Sequence, residues 1–273
     1  MKSRILTALA LFPPVIYLIG WSPLWLFGAA IFATAAIALQ EYFAICRQTG
    51  LKALPALGYA GTAGVCLVQA MTARGTSVPT FVFICVYVLL TLSVALFWIE
   101  DLKQYFSAVA TTILGVLYVA LPLAFLMPLR FKDEANGRRV VLYLFIVIWA
   151  GDIFAYFVGR TIGRHFLFPR VSPKKTFEGA IAGLAGSILM GWGFAHWFWR
   201  SADLKLVIIL AGVVAIAGQI GDFAESALKR GGGMKDSGSI LPGHGGMLDR
   251  IDALLFGAVT LWLALAFKDL WPL

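Results

Sequence analysis

An ionised side chain inside an apolar run is costly and marks a functional site by default. Four acids of this chain are singled out on that ground. Asp152 sits in the run around Trp149-Ala150-Gly151, and Glu178 opens another. Asp222 and Glu225 close a third, in Gln219-Ile220-Gly221-Asp222-Phe223-Ala224-Glu225-Ser226. Asp222, Glu225 and Lys229 are spaced i, i+3, i+7, which is one face of a helix. Asp249 and Asp252, spaced i, i+3 with Arg250 between them, share a face of the next helix. Internal ion pairs, for instance Asp222 with Lys229 or Arg250, are the structural alternative. So many acids on one side of a membrane point instead to a site.

The loop joining these acids carries Lys229-Arg230-Gly231-Gly232-Gly233-Met234-Lys235-Asp236 and then Pro242-Gly243-His244-Gly245-Gly246. Glycine lets successive backbone N–H groups face one anion, and the basic side chains add charge. Carboxylates, basic groups and glycine backbone together suit metal-assisted phosphoryl or nucleotidyl transfer. Mg²⁺ takes one or two carboxylates and fills its other positions with water and substrate phosphates, and it neutralises charge on the reacting group. Asp222 and Asp249 are the expected Mg²⁺ ligands, with Asp152, Glu225 and Asp252 as further candidates. A second basic block runs from Arg160 and Arg164 to Ser172-Pro173-Lys174-Lys175-Thr176-Phe177-Glu178-Gly179. Ser172-Pro173 reads as a turn and Lys174-Lys175 as the start of a helix. Positive charge opposes the dipole there, unless the lysines serve an anion. A membrane-surface anchor is the alternative.

The elements that must position these residues are membrane spans. Of 273 residues, 60% are hydrophobic and 13% charged, with a mean hydropathy of +0.87. A soluble domain is nearer one-quarter charged, so a soluble enzyme, a disordered tail and a nucleic-acid-binding domain are excluded. A span needs roughly 20 apolar residues. That rule predicts an all-α integral membrane protein, one bundle of about nine transmembrane helices. The spans lie near 5–20, 24–45, 54–72, 79–99, 106–128, 140–162, 177–199, 205–227 and 251–268. Pro13-Pro14 kink the first, which reads as uncleaved. Cys46, Cys66 and Cys85 read as packing residues.

The net charge of +8 is unevenly placed: residues 1–128 hold six basic and three acidic residues, and 129–273 hold sixteen and eleven. The expected division is therefore 1–130, N-terminal helices, and 131–273, catalytic helices with loops 163–176 and 228–250. With the N-terminus inside, 14 of the 22 basic residues fall on the inner side, as the positive-inside rule asks. Both loops then face the cytoplasm. Arg130, Lys132, Arg138 and Arg139 dissent. The glycines at 179, 183 and 186, and at 212, 218 and 221, read as close helix contacts.

The run from Ser226 through Lys229-Arg230, Lys235-Asp236, Pro242, His244-Gly245-Gly246 and Asp249-Arg250 to Asp252 resembles the signature of phosphatidate cytidylyltransferases, also called CDP-diacylglycerol synthases. Asp152-Ile153-Phe154-Ala155-Tyr156-Phe157-Val158-Gly159-Arg160 and Ser172–Gly179 resemble two further blocks of that family. The resemblance implies transfer of CMP from CTP to phosphatidate, giving CDP-diacylglycerol and pyrophosphate. It also implies Mg²⁺ dependence, a K⁺-like second cation, a homodimer and residence in a bacterial cytoplasmic membrane. On this reading Lys174, Lys175, Lys229, Arg230, Lys235 and Arg250 bind the phosphates, with Ser226, Gly245 and Gly246 beside them. His244 contacts pyrophosphate or CTP, or serves only the turn. Asp236 caps the loop or touches the nucleotide. The rivals are a cytidylyltransferase acting on another lipid phosphate, and a transporter, against which the unlike halves of the chain speak.

Overall fold

The computed structural model describes residues 2–76, 78–240, 243 and 245–270. Among them lie nine long helical segments: α1 (Lys2–Gly20), α2 (Leu24–Gln48), α3 (Pro55–Ala73), α4 (Thr80–Trp98), α5 (Leu102–Phe131), α6 (Gly137–Ile162), α7 (Phe177–Phe198), α8 (Leu204–Gly231) and α9 (Leu248–Leu270). Seven of them, α2 to α8, are long and apolar enough to cross a membrane. The chain is an all-α multi-pass membrane protein. Its strands among the described residues are β1 (Phe166–Phe168) and β2 (Ser172–Thr176), an antiparallel hairpin between α6 and α7.

The solvent is legible in α4. Its buried residues are Tyr87, Thr91 and Ala95, a stripe at i, i+4, i+8, while Phe81, Leu89, Leu90 and Phe97 are exposed. A helix that turns small and polar groups inward and large apolar ones outward is built for lipid. Packing and internal hydrogen bonds, not burial of apolar area, hold such helices together.

The chain folds as two compact units. The first takes the chain up to Ala135 together with Leu228–Ile251. Here α2 packs on α3 and α5, with Leu39 and Tyr42 closing on Gly115. A π-helical turn, Val116–Ala120, followed by Pro122, interrupts α5. Arg130 is buried, and its guanidinium donates to the carbonyls of Ile19 and Gly20 at the end of α1. The terminal carbonyls of a helix have no intrahelical partner, so Arg130 meets a structural need. That removes it from the surface charges the positive-inside rule counts.

The second unit comprises Asn136–Ala227 and the chain from Asp252 on. α6 and α7 run antiparallel in close contact, with Gly159 against Gly179, Gly151 against Gly183 and Val147 against Ser187. A Cβ at Gly183 would meet the Gly151 carbonyl at 2.9 Å. The glycines at 179 and 183 therefore act as read: they let two backbones approach. Gly221 does the same toward α9, where a Cβ would meet the Asp252 carbonyl at 2.7 Å, while Gly218 faces Ala253 at ordinary contact distance. Polar ties fix the helices, with Tyr143 OH donating to Val207 O at 2.6 Å and Gln219 Nε2 to Ala180 O at 3.1 Å.

Tyr143→Phe leaves the Val207 carbonyl without this buried donor. It is expected to cost about 1 kcal/mol, read as a lowered Tm in detergent with secondary structure unchanged.

Candidate active site

In the first unit the loop after α8 is organised around two carboxylates. Asp249, in the first turn of α9, is held by three donors. Its Oδ1 accepts from Lys229 Nζ at 2.5 Å, and its Oδ2 accepts from the N–H groups of Ser237 at 2.9 Å and Gly246 at 2.8 Å. Lys229 is buried. Burial alone would push the Asp249 carboxyl up, but the Lys229 ammonium and the two N–H groups outweigh it and hold the group below the ordinary aspartate range. Asp249 is therefore a fixed carboxylate at neutral pH.

The second carboxylate is Glu41, near the end of α2. Burial leaves its residue 8% exposed. It accepts from the Ser237 hydroxyl at 2.8 Å and from the N–H groups of Met247 at 2.9 Å and Leu248 at 2.8 Å. Ser237 thus joins the two acids, its N–H on Asp249 and its O–H on Glu41. The glycines at 245 and 246 are required by crowding. A Cβ at Gly246 would drive into Ser237 Oγ and Glu41 Oε2. Gly245 has φ +80°, and a Cβ there would meet Asp249 Oδ2 at 2.6 Å. Glu41 is the one charge between Arg4 and Arg47. The rule that flags an acid in a span flags it too, but no glycine or basic neighbour in sequence advertises its role.

In the second unit the β-hairpin presents Lys175 to Asp222, and the two form an ion pair. The Lys175 ammonium also lies 4.6 Å from the centre of the Phe223 ring, a favourable cation–π distance. Phe223 packs edge-on against Phe168 of β1. Ser226 Oγ donates to Asp222 Oδ1 at 3.4 Å. Lys174 and Lys175 therefore stand on a strand, not at a helix start. Strand alternation leaves Lys174 exposed while Lys175 is half-buried. The helix begins after them, at Phe177, with Thr176 Oγ1 accepting from Gly179 N–H at 3.2 Å. Ser172-Pro173 open the strand and are not the turn.

Glu178 has a local task. It accepts from the N–H groups of Arg164 and His165 and pairs with His165 Nδ1 at 2.6 Å, clasping the base of the hairpin. The ion pairs weighed as the structural alternative for Asp222, to Lys229 or Arg250, do not form; Asp222 pairs with Lys175, and Lys229 with Asp249. Spacing along one helix could not reveal a partner supplied by a distant strand.

Asp152, Asp222 and Glu225 each act electrostatically on Asp252, so these four carboxylates form one acidic group within the second unit. Glu225 is fully buried. Asp152 lines a small cavity with Ile148, Gly151, Ser187, Gly218 and Gln219. Arg230, Lys235, Asp236 and Arg250 are exposed, and Arg230 donates to the Met234 carbonyl at 3.0 Å. His244 lies outside the described residues. No three His, Cys, Asp or Glu side chains among the described residues are arranged to hold a metal by themselves. The donors present fit a hard cation that needs few protein ligands. A carboxylate offers about four acceptor positions; Asp249 uses three of its own, and Asp222 accepts from Lys175 and Ser226.

The sequence profile of the Cytidylyltransferase family matches residues 2–268. The chain is 32% identical over 263 residues to the phosphatidate cytidylyltransferase of Staphylococcus haemolyticus. It is also 32% identical over 265 residues to the enzyme of that name from Staphylococcus saprophyticus, and 32% over 269 to that of Staphylococcus epidermidis. Each comparison covers 94% of this chain and 95% of the relative. The chain belongs to the Cytidylyltransferase family.

Because the Asp249 carboxyl is depressed in the folded state, its contribution to stability is present above the ordinary aspartate value, about 4. It is lost as pH falls through the lower folded value. The Tm difference between the native chain and Asp249→Asn is expected to be full near neutrality and to shrink on acidification below that point.

Proposed function

We propose that this protein is a phosphatidate cytidylyltransferase, a membrane enzyme that transfers CMP from CTP to phosphatidate and releases pyrophosphate. The observation that carries the reading is similarity over 94% of the chain to enzymes of that name. The chemistry of the loop supports it.

The reaction joins two polyanions. A phosphate oxygen of phosphatidate forms a bond to the α-phosphorus of CTP. The bond from that phosphorus to the oxygen bridging toward the β-phosphate breaks, and its electron pair leaves with pyrophosphate. The second pKa of a phosphate monoester is about 6, so the nucleophile enters ionised and needs no strong base. The barrier lies in bringing like charges together in line, and catalysis becomes positioning and neutralisation.

On this proposal Lys229, Arg230, Lys235 and Arg250, with the loop glycines and Ser226, engage phosphate oxygens, as do Lys174 and Lys175. His244 contacts pyrophosphate or CTP, or serves only the turn, and Asp236 caps the loop or touches the nucleotide. Asp222 and Asp249 are assigned to Mg²⁺, with Asp152, Glu225 and Asp252 as further metal ligands or as orienters of basic partners, and a K⁺-like ion as a second cation. When bound, Mg²⁺ supplies charge neutralisation on the reacting phosphate and the leaving group. The diacyl tails stay in lipid. The enzyme works as a homodimer in a bacterial cytoplasmic membrane, with its site on the cytoplasmic face, the side favoured by the bias of basic residues.

Purified protein in phosphatidate-containing micelles with Mg²⁺ and K⁺ should release pyrophosphate with CTP and far less with ATP, GTP or UTP. Asp222→Asn, Asp249→Asn and Lys229→Met should each lower the rate about 100-fold or more. Folded protein that releases no pyrophosphate with CTP and phosphatidate would overturn the reading. Release with a different lipid phosphate would redirect it to that substrate.

A further inference from the structure

The position of Glu41 calls for an explanation that helix capping alone does not give. A helix start is ordinarily capped by a nearby Ser, Thr, Asp or Asn. At the start of α9 the acceptor for the Met247 N–H comes instead from 206 residues earlier in the chain, out of an apolar span. A buried carboxylate is held there against a large desolvation cost, and it has three donors to offset it. Two of them are the N–H groups that open α9. The third is the hydroxyl of Ser237, whose own N–H grips Asp249. Asp249 in turn holds Lys229. The result is one continuous path, Glu41 to Ser237 to Asp249 to Lys229, inside the first unit.

We infer that Glu41 is a positioning residue, whose carboxylate sets the conformation of the loop before α9 and so aims Asp249 and Lys229. It touches neither substrate nor reacting atoms. The activity part of this inference rests on the reaction proposed above; the structural part does not. Only a carboxylate fits. Its Oε1 receives the Met247 N–H and its Oε2 the Leu248 N–H and the Ser237 hydroxyl. The amide of a glutamine would turn an NH₂ toward one of those N–H groups, donor against donor. An aspartate would draw the charge back by one carbon. The surroundings leave no slack for adjustment, since a Cβ on Gly238 would meet Glu41 Oε1 at 2.5 Å.

The test uses the full chain in detergent, with hydrogen exchange and steady-state kinetics on the same preparations. In Glu41→Gln the amides of Ser237, Gly246, Met247 and Leu248 should exchange at least tenfold faster while those of α3 and α4 keep the native rate. The kcat for CTP-dependent pyrophosphate release should fall at least tenfold. Ser237→Ala should act in the same direction, and the double variant should be no worse than Glu41→Gln alone, because both break one path. Tyr87→Phe, which loses a hydrogen bond to Leu57 O elsewhere in the unit, should leave kcat unchanged. Native exchange at the four amides in Glu41→Gln would overturn the inference. So would faster exchange spread evenly over the unit, which is a purely structural role, or a native kcat despite a loosened loop. If the native chain itself releases no pyrophosphate, the proposed reaction fails while the exchange measurement still decides whether Glu41 sets the loop.

Discussion

A carboxylate taken out of water must be met by donors, and around this requirement the chemistry-bearing loop is arranged. Asp249 and Glu41 together collect a lysine, a serine hydroxyl and four backbone N–H groups. An amide that donates to a carboxylate is fixed in direction, so the acids dictate backbone conformation over a stretch with little regular structure of its own. The glycines follow from this. At 245 and 246 the side-chain volume is already occupied by the carboxylates the backbone is bound to. The loop's glycine content is here a consequence of crowding around charge.

The lipid solvent sets the other constraint. With apolar surface outside, helix contacts rest on small residues and on hydrogen bonds such as Ser187 to Val147 and Tyr143 to Val207. Arg130 belongs to the same logic. A cation near the start of the chain's polar half looks like topology, yet it is buried and spent on the carbonyls of Ile19 and Gly20.

The spans were legible because a 3.6-residue helix crossing an apolar slab needs a fixed length of apolar sequence. All nine appear as helices close to the expected bounds, and Asp152, Asp222 and Glu225 stand out by their cost, with Asp249 and Asp252 by their spacing. Partnership was not legible. Lys175 reaches Asp222 from a β-hairpin whose strands are too short to announce themselves, and Phe223 and Phe168 complete its setting. Glu41 reaches Ser237 across 196 positions of chain. Periodicity reads which face a residue occupies; it carries no information about which distant segment will lie against that face.

Two lysine–carboxylate pairs, Lys229 with Asp249 and Lys175 with Asp222, have the same composition. Each joins a group suited to phosphate with a group suited to a hard cation. Such a pair shields both charges from the desolvation cost either would bear alone in a low dielectric. Under the proposed reaction a nucleotide triphosphate with its cation offers the same two charges in complementary order. Each lysine would then be available to a phosphate oxygen and each carboxylate to the cation, whose charge would neutralise the phosphates when bound. Each lysine is then as consequential as the acid it faces: removing Lys229 takes the ammonium from a buried Asp249 and leaves it two N–H donors, and removing Lys175 breaks the ion pair of a partly exposed Asp222.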